Sequence, residues 1–201
     1  MACPTMATED PTEALALLQA GNARFVAGHP RPEPVTPKEL ALHEGQSPFA
    51  VVLGCSDSRV PIETIFDQPP GQIFVIRVAG NFLNADNLAS IEFAIQYLKS
   101  KIVVVLGHTN CGAVSGAVSY AKGGIKLPGH IHHLVDAVAP SVEATRRLPG
   151  DWIANAVEHN VERNAGELIA HSDIVAAAVA AGDLRVIGGI YDLRTGSVSF
   201  A

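Results

Sequence analysis

The sequence lacks the features that membrane, secreted and nucleic-acid-binding proteins usually carry. No apolar run approaches the roughly 20 residues that a membrane-spanning helix needs, and the first residues contain neither the basic region nor the apolar segment of a secretory signal. Runs of Lys and Arg are absent, and the net charge of -6 disfavours a nucleic acid or an anionic membrane as partner. We therefore expect a cytoplasmic protein whose ligands are small molecules.

Cysteine and aromatic residues are also scarce. The three cysteines, Cys3, Cys55 and Cys111, make a poor disulfide framework because their number is odd and they lie far apart in the chain. In a reducing compartment, Cys55 and Cys111 are better interpreted as thiolates or as core residues. Only 5% of the chain is aromatic although 48% is hydrophobic, which favours packed helices and thin parallel strands over an aromatic-rich sandwich.

Short apolar runs that alternate with helical segments predict an α/β fold. Four runs have the composition of strands buried on both faces, namely residues 49–54, 73–78, 102–107 and 184–191. Helices are predicted over residues 11–27, 86–98, 129–148 and 151–171, the third kinked or broken at Pro140. The end of the chain suggests a turn and a short strand of undetermined direction. The expected architecture is a mainly parallel central β-sheet flanked by helices.

The amino-terminal region is expected to form a helical arm. Asp10, Pro11 and Glu13 have the pattern of an N-cap, a proline in the first helical turn and a capping-box partner. A proline-rich connector follows this helix. We therefore divide the chain into an arm and connector over residues 1–35, which can pack on a neighbouring subunit, and an α/β domain over residues 36–201.

Candidate metal ligands follow two of the predicted strands. Cys55 comes directly after the first strand, and His108 and Cys111 follow the third. Because ligands of parallel α/β sheets bind beyond the carboxyl ends of the strands, these side chains are expected to meet at one edge of the sheet. Two thiolates and one imidazole form a ligand set of catalytic zinc sites, which leave a fourth position open. The alternative for each cysteine is an ordinary core position.

Asp57 and Arg59 directly follow the first of these cysteines. A carboxylate that is paired with a bidentate guanidinium stays ionised, and it can accept the proton of a zinc-bound hydroxide. Asp57 can also move to fill the fourth zinc position, which would switch the site off. The simpler interpretation is a capping aspartate beside a salt-bridge arginine.

The motifs "CSDSR" and "HTNC" resemble the two zinc motifs of the β-class carbonic anhydrases. The similarity extends over roughly residues 12–120 of the chain. It implies that Cys55, His108 and Cys111 hold Zn2+, and that the Asp/Arg dyad orients a zinc-bound hydroxide for the reversible hydration of carbon dioxide to bicarbonate. It also implies a dimer or higher oligomer with active sites at the subunit interface.

The same resemblance suggests Gln46 and Phe93 as substrate-binding residues, and the position of Gly112 at the start of a helix suggests a third. Gln46 lies nine residues before Cys55. Family members in which water occupies the fourth zinc position often carry a glutamine there, and Gln46 would then bind bicarbonate. The alternative is that Gln46 is an exposed amide in a loop. Gly112 begins the helix after the second motif, and its N–H can help to bind the anion. Phe93 stands where many plant-type members have a tyrosine, which would remove a hydroxyl group from the pocket.

Two other functions fit the same ligand set. A carbonyl sulfide or carbon disulfide hydrolase would use the same zinc site on a related substrate, and the ligands alone do not discriminate between these reactions. The other alternative is a zinc-binding sensor without catalysis. It is disfavoured because structural zinc normally has four protein ligands close in sequence, whereas Cys55 lies far from the second motif.

Overall fold

A computed structural model describes residues 8–31, 45–123 and 127–201 of the chain. Cys3 and the predicted arm boundary at residues 35–36 lie outside these ranges. The helices within them are α1 (Pro11–Val26), α2 (Ile62–Ile65), α3 (Ala85–Leu98), α4 (Gly112–Ala121), α5 (Ile131–Thr145), α6 (Trp152–His171) and α7 (Asp173–Ala180). The strands are β1 (Ala50–Gly54), β2 (Ile73–Arg77), β3 (Ile102–His108), β4 (Arg185–Tyr191) and β5 (Val198–Phe200). Within the described ranges, no helix combines the length and the apolar character that a bilayer span requires.

The central sheet confirms the predicted α/β fold. Its strand order is β2-β1-β3-β4-β5, in which β1 to β4 are parallel and β5 runs antiparallel to β4. The direction of the last strand, which the sequence left open, is thereby determined. Gly54 is in register with Arg77 on one side and with Leu106 on the other. The residues that follow β1, β2 and β3 are therefore brought to the same edge of the sheet.

Helices pack on both faces of the sheet. All residues of β1 and β3 are buried. On β1, Val52 belongs to a hydrophobic cluster with α1 and α2, whereas Val51 and Leu53 belong to a second cluster with α3, α6 and α7. Ala14 and Leu18 of α1 are completely buried in the first cluster. This face of the amino-terminal helix thus packs on the core of its own chain.

Helix α6 lies very close to the sheet at two glycines. A Cβ atom at Gly107 of β3 or at Gly188 of β4 would come within 2.6 Å of the Val161 side chain. Glycine at these positions permits the close approach of the helix backbone. The approach matters for the site, because the buried face of α6 also carries Asn160 and Asn164.

Local details differ from the predictions at several points. Helix α5 continues through Pro140, so the predicted break there is wrong, whereas a kink at this residue stays a prediction. Val138 and Val142 on either side of Pro140 are buried in a cluster with α4 and α6. The predicted capping box of α1 is also wrong, since the Glu13 carboxylate accepts a hydrogen bond from the Thr8 hydroxyl instead. Helices α2 and α7 were not predicted, because α2 is a single turn and α7 is too rich in alanine to show a clear apolar period.

Candidate metal centre

Cys55, His108 and Cys111 meet at the carboxyl edge of the sheet. All three are buried, and their ligating atoms lie within 4.8 Å of one another. The sulfur atoms of the two cysteines are 4.0 Å apart. Two thiolates on one tetrahedral zinc ion, each bonded at about 2.3 Å, would be about 3.8 Å apart. The two sulfur atoms therefore stand at the separation of two ligands of one ion, and not at the roughly 2.05 Å of a disulfide.

The turn after β1 places Asp57 next to the cluster. The backbone N–H of Arg59 donates to the Asp57 carboxylate at 3.0 Å, and the N–H of Val60 donates to the Asp57 carbonyl at 3.0 Å. An aspartate that accepts from the backbone two residues further on forms an Asx turn, which is a common local preference of this residue type. The sequence around Asp57 thus fixes the direction of its carboxylate locally.

Arg77 holds this turn from the neighbouring strand. Its Nε donates to the Cys55 carbonyl at 3.0 Å, and its Nη2 donates to the Asp57 carbonyl at 2.6 Å. Arg77 was not among the residues predicted to form the site. The available signal was a charged residue in an apolar predicted strand, close to its carboxyl end.

His108 presents one ring nitrogen to the two sulfur atoms. Its Nδ1 lies 2.9 Å from the carbonyl oxygen of Thr109, which can only accept, so Nδ1 carries the proton. The other nitrogen, Nε2, then has a free lone pair, and it is buried without a hydrogen-bond partner. The nearest carboxylate oxygen, Oδ2 of Asp57, is 3.9 Å away. A buried imidazole with one nitrogen fixed and the other unpaired is the usual state of a histidine that binds a metal.

The two thiols of the cluster titrate as a pair. The hydrogen bond from the Cys111 thiol lowers the pKa of Cys55; burial opposes this shift, while the backbone N–H groups of Gly80 and Asp57 add to it. The same thiol–thiol bond, together with burial, raises the pKa of Cys111. The protonation of the two thiols is therefore linked. A divalent cation that binds both sulfur atoms displaces their protons.

Arg59 binds the Asp57 carboxylate through two parallel hydrogen bonds. The distances are 2.9 Å from Nε to Oδ1 and 2.7 Å from Nη2 to Oδ2. These hydrogen bonds are the main reason why the pKa of Asp57 lies well below its usual range. The aspartate side chain is only 15% exposed, whereas that of Arg59 is 55% exposed. Asp57 is therefore an ionised, oriented acceptor at the edge of the cluster.

The three residues predicted to bind substrate lie in different places. Gly112 is the first residue of α4, directly after the second cysteine, and a Cβ atom on it would meet nothing within 4 Å. Gln46 is exposed and precedes the amino end of β1, whereas Cys55 follows the carboxyl end. Phe93 lies on α3, is 46% exposed and contacts two other aromatic rings. The chain thus brings Gly112 to the cluster but not Gln46 or Phe93.

Comparisons with known proteins agree with the site. A family model described as carbonic anhydrase matches residues 50–198. Carbonic anhydrase 2 of Mycobacterium tuberculosis is 38% identical over 192 residues, which cover 95% of this chain and 93% of that protein. The carbonic anhydrase of Mycolicibacterium smegmatis is 37% identical over 194 residues, which cover 96% and 94%. Tetrameric β-carbonic anhydrases from Sordaria macrospora match with a TM-score of 0.72 at 26% identity, covering 95% of this chain and 97% of the matched chain.

Proposed function

The chain belongs to the β-carbonic anhydrase family, and from this membership we propose that it catalyses the reversible hydration of carbon dioxide to bicarbonate and a proton, with Zn2+ bound by Cys55, His108 and Cys111. The observation that carries the proposal is the buried, unpaired Nε2 of His108 beside two cysteine sulfur atoms that are 4.0 Å apart. Three protein ligands leave a fourth position for solvent, as in catalytic zinc sites.

Each neighbouring group has a role in the proposed reaction. Zinc at this site would supply the Lewis acidity that makes water a nucleophile near neutral pH. The ionised Asp57 accepts a hydrogen bond from the attacking oxygen and so turns a lone pair of that oxygen towards the carbon of carbon dioxide. Arg59 keeps Asp57 charged and in position. The N–H of Gly112, at the amino end of α4, favours the negative charge of bicarbonate.

The pairing of Asp57 with Arg59 supports an open fourth position. A carboxylate that is held by two hydrogen bonds from a guanidinium would have to break them before it could bind a metal ion. We therefore propose that solvent, and not Asp57, occupies the fourth zinc position near neutral pH.

Stopped-flow carbon dioxide hydration tests the proposed function. The zinc-loaded protein is assayed from about pH 6.5 to 9, a range around the titration of zinc-activated water. We expect activity near neutral pH, and its loss on removal of zinc with a chelator. Activity only at alkaline pH would contradict the open site. A zinc-loaded protein that is inactive throughout would contradict the function, and turnover of carbonyl sulfide or carbon disulfide in parallel assays would then assign the site to those substrates.

We propose in addition that the chain self-associates as a dimer or higher oligomer. The matched Sordaria macrospora enzymes are described as tetrameric. On α3, Phe93 is 46% and Tyr97 is 72% exposed, and β2, against which this helix packs, is an edge strand of the sheet. Exposed aromatic residues beside a sheet edge are typical of protein interfaces. The substrate contacts proposed for Gln46 and Phe93 require such an interface, because their own chain does not bring them to the cluster.

Light scattering after size-exclusion chromatography tests self-association. The mass is expected to be a multiple of 21.0 kDa, and Tyr97→Glu is expected to lower it because a charge on α3 opposes burial of that face. Tyr120→Glu is the matched control, since Tyr120 is also exposed but lies on α4. A wild-type monomer with full hydration activity would contradict the proposal.

A further inference from the structure

Two buried asparagines on α6 hold the β2–α3 loop (residues 78–84). Asn160 and Asn164 are one helical turn apart, and each is 1% exposed. The Nδ2 of Asn160 donates to the Gly80 carbonyl at 2.9 Å, and the Oδ1 of Asn164 accepts from the Leu83 N–H at 2.7 Å. The loop is therefore tied to α6 at two points.

Gly80 connects this loop to the candidate metal centre. Its backbone N–H donates to the Sγ of Cys55, with the two atoms 3.4 Å apart. Its φ is +90°, and a Cβ atom on it would lie 3.1 Å from both Ala113 and Val138. Only glycine fits such a position without strain. Because glycine has no side chain to anchor it, the direction of its N–H depends on the groups that hold its backbone.

The buried polar groups of α6 require an explanation beyond packing. Burial of an amide side chain costs free energy unless its donors and acceptors are paired. The partners of these two asparagines are the β2–α3 loop, each other and Ser141, whose hydroxyl lies 3.5 Å from the Oδ1 of Asn160. An apolar pair would pack against the core without this cost. The asparagines are therefore best explained by what they hold in place.

We propose that Asn160 is a positioning residue for the metal ligand Cys55: by fixing Gly80, it keeps an N–H donor directed at the sulfur and so sets the metal affinity and the electron density of the thiolate. This inference rests on the proposed zinc site. Groups that hydrogen-bond to metal ligands, or that orient them, contribute to metal affinity in this way. Asn164 holds the same loop but bonds to Leu83 and not to Gly80.

Asn160→Leu is compared with Asn22→Leu in the test. Each variant replaces a buried asparagine by a residue of similar size, so both lose stability, but Asn22 lies on α1 and its Nδ2 donates to the Ile65 and Gly196 carbonyls, not to the β2–α3 loop. Asn160→Leu is expected to raise the zinc dissociation constant about tenfold, whereas Asn22→Leu changes it by less than about threefold. In the cobalt-substituted protein, Asn160→Leu is also expected to shift the thiolate-to-metal charge-transfer band to lower energy, since the sulfur loses a donor. Competition with a chromophoric chelator and absorption spectroscopy measure the two effects.

The outcomes separate this inference from the proposed function. If both variants match the wild type in zinc affinity and cobalt spectrum, or if both differ from it equally, Asn160 has only a structural role and the inference is overturned. A wild-type protein that binds neither zinc nor cobalt contradicts the proposed function instead.

A second measurement covers the case in which Asn160→Leu does not fold. In the wild-type protein loaded with cadmium-113, the Gly80 amide proton is expected to show a scalar coupling to the metal through the N–H···S hydrogen bond. Metal binding without such a coupling at Gly80 would overturn the inference.

Discussion

Replacing Cys55 with alanine is expected to weaken zinc binding strongly, so that both the zinc content after dialysis and the hydration activity fall. The change removes one of two sulfur ligands and leaves one thiol and one imidazole at the site. Binding free energies of about 10–16 kcal/mol for four-ligand zinc sites correspond to about 3–4 kcal/mol per ligand, or a loss of affinity of about 10²- to 10³-fold. Zinc content per chain after dialysis, measured by mass spectrometry, checks the binding, and stopped-flow assays check the activity.

The remaining cysteine of the chain provides the control for this variant. Cys3 lies outside the described residues, and Cys3→Ala is expected to retain one zinc ion per chain and full activity. His108→Ala should behave like Cys55→Ala, because it removes the unpaired Nε2. Circular dichroism shows whether each variant is folded. Full zinc retention in folded Cys55→Ala would remove the basis of the proposed site.

Asp57→Asn is expected to separate catalysis from metal binding. The amide has the shape of the carboxylate but no charge, and its NH2 group cannot accept from Arg59. We expect zinc content to stay at one ion per chain, while kcat falls about 10²- to 10³-fold, as is typical when a single group that orients or stabilises the reacting atoms is lost. Glu143→Gln is a matched control, because Glu143 pairs with Arg146 in an exposed ion pair on the same protein. Unchanged kcat in Asp57→Asn would contradict the proposed role.

The pH dependence of the hydration activity of the wild-type protein also tests the role of Asp57. Arg59 holds the pKa of Asp57 below its usual range, so in the folded protein the carboxylate loses its charge only at a pH below about 3.9, the ordinary value. A carboxyl group whose pKa is lower in the folded than in the unfolded protein stabilises the folded state at pH values above its unfolded pKa. This stabilisation is lost as the pH falls through the folded pKa. Asp57 therefore stays ionised throughout the assay range. An inflection above pH 6.5 that disappears in Asp57→Asn would contradict this assignment.

The cluster could be predicted from the sequence because its parts follow strong local signals. Cys55 and His108 each stand at the carboxyl end of a continuous apolar run, and parallel strands bring these ends together. The Asp57–Arg59 pair was predictable for a related reason, since an Asx turn with an arginine two residues on is set by local geometry. Once the strands had been assigned, the positions of these residues followed from the sequence.

Long-range contacts were not predictable in this way. The bond between Asn160 and Gly80 joins residues that are 80 positions apart, and it depends on how α6 lies over the sheet at Gly107. The direction of β5 depends on three backbone pairings with β4, which no side-chain pattern encodes. The two asparagines of α6 did carry a signal, because polar residues spaced four apart on a buried helix face need partners.

X-ray absorption at the zinc edge of the zinc-loaded wild-type protein tests the central claim most directly, namely that Cys55, His108 and Cys111 hold a single zinc ion. We predict two sulfur scatterers at about 2.3 Å and two nitrogen or oxygen scatterers at about 2.0–2.1 Å, one of them with the multiple-scattering pattern of an imidazole. A first shell with three or four sulfur atoms, or with none, would contradict the account.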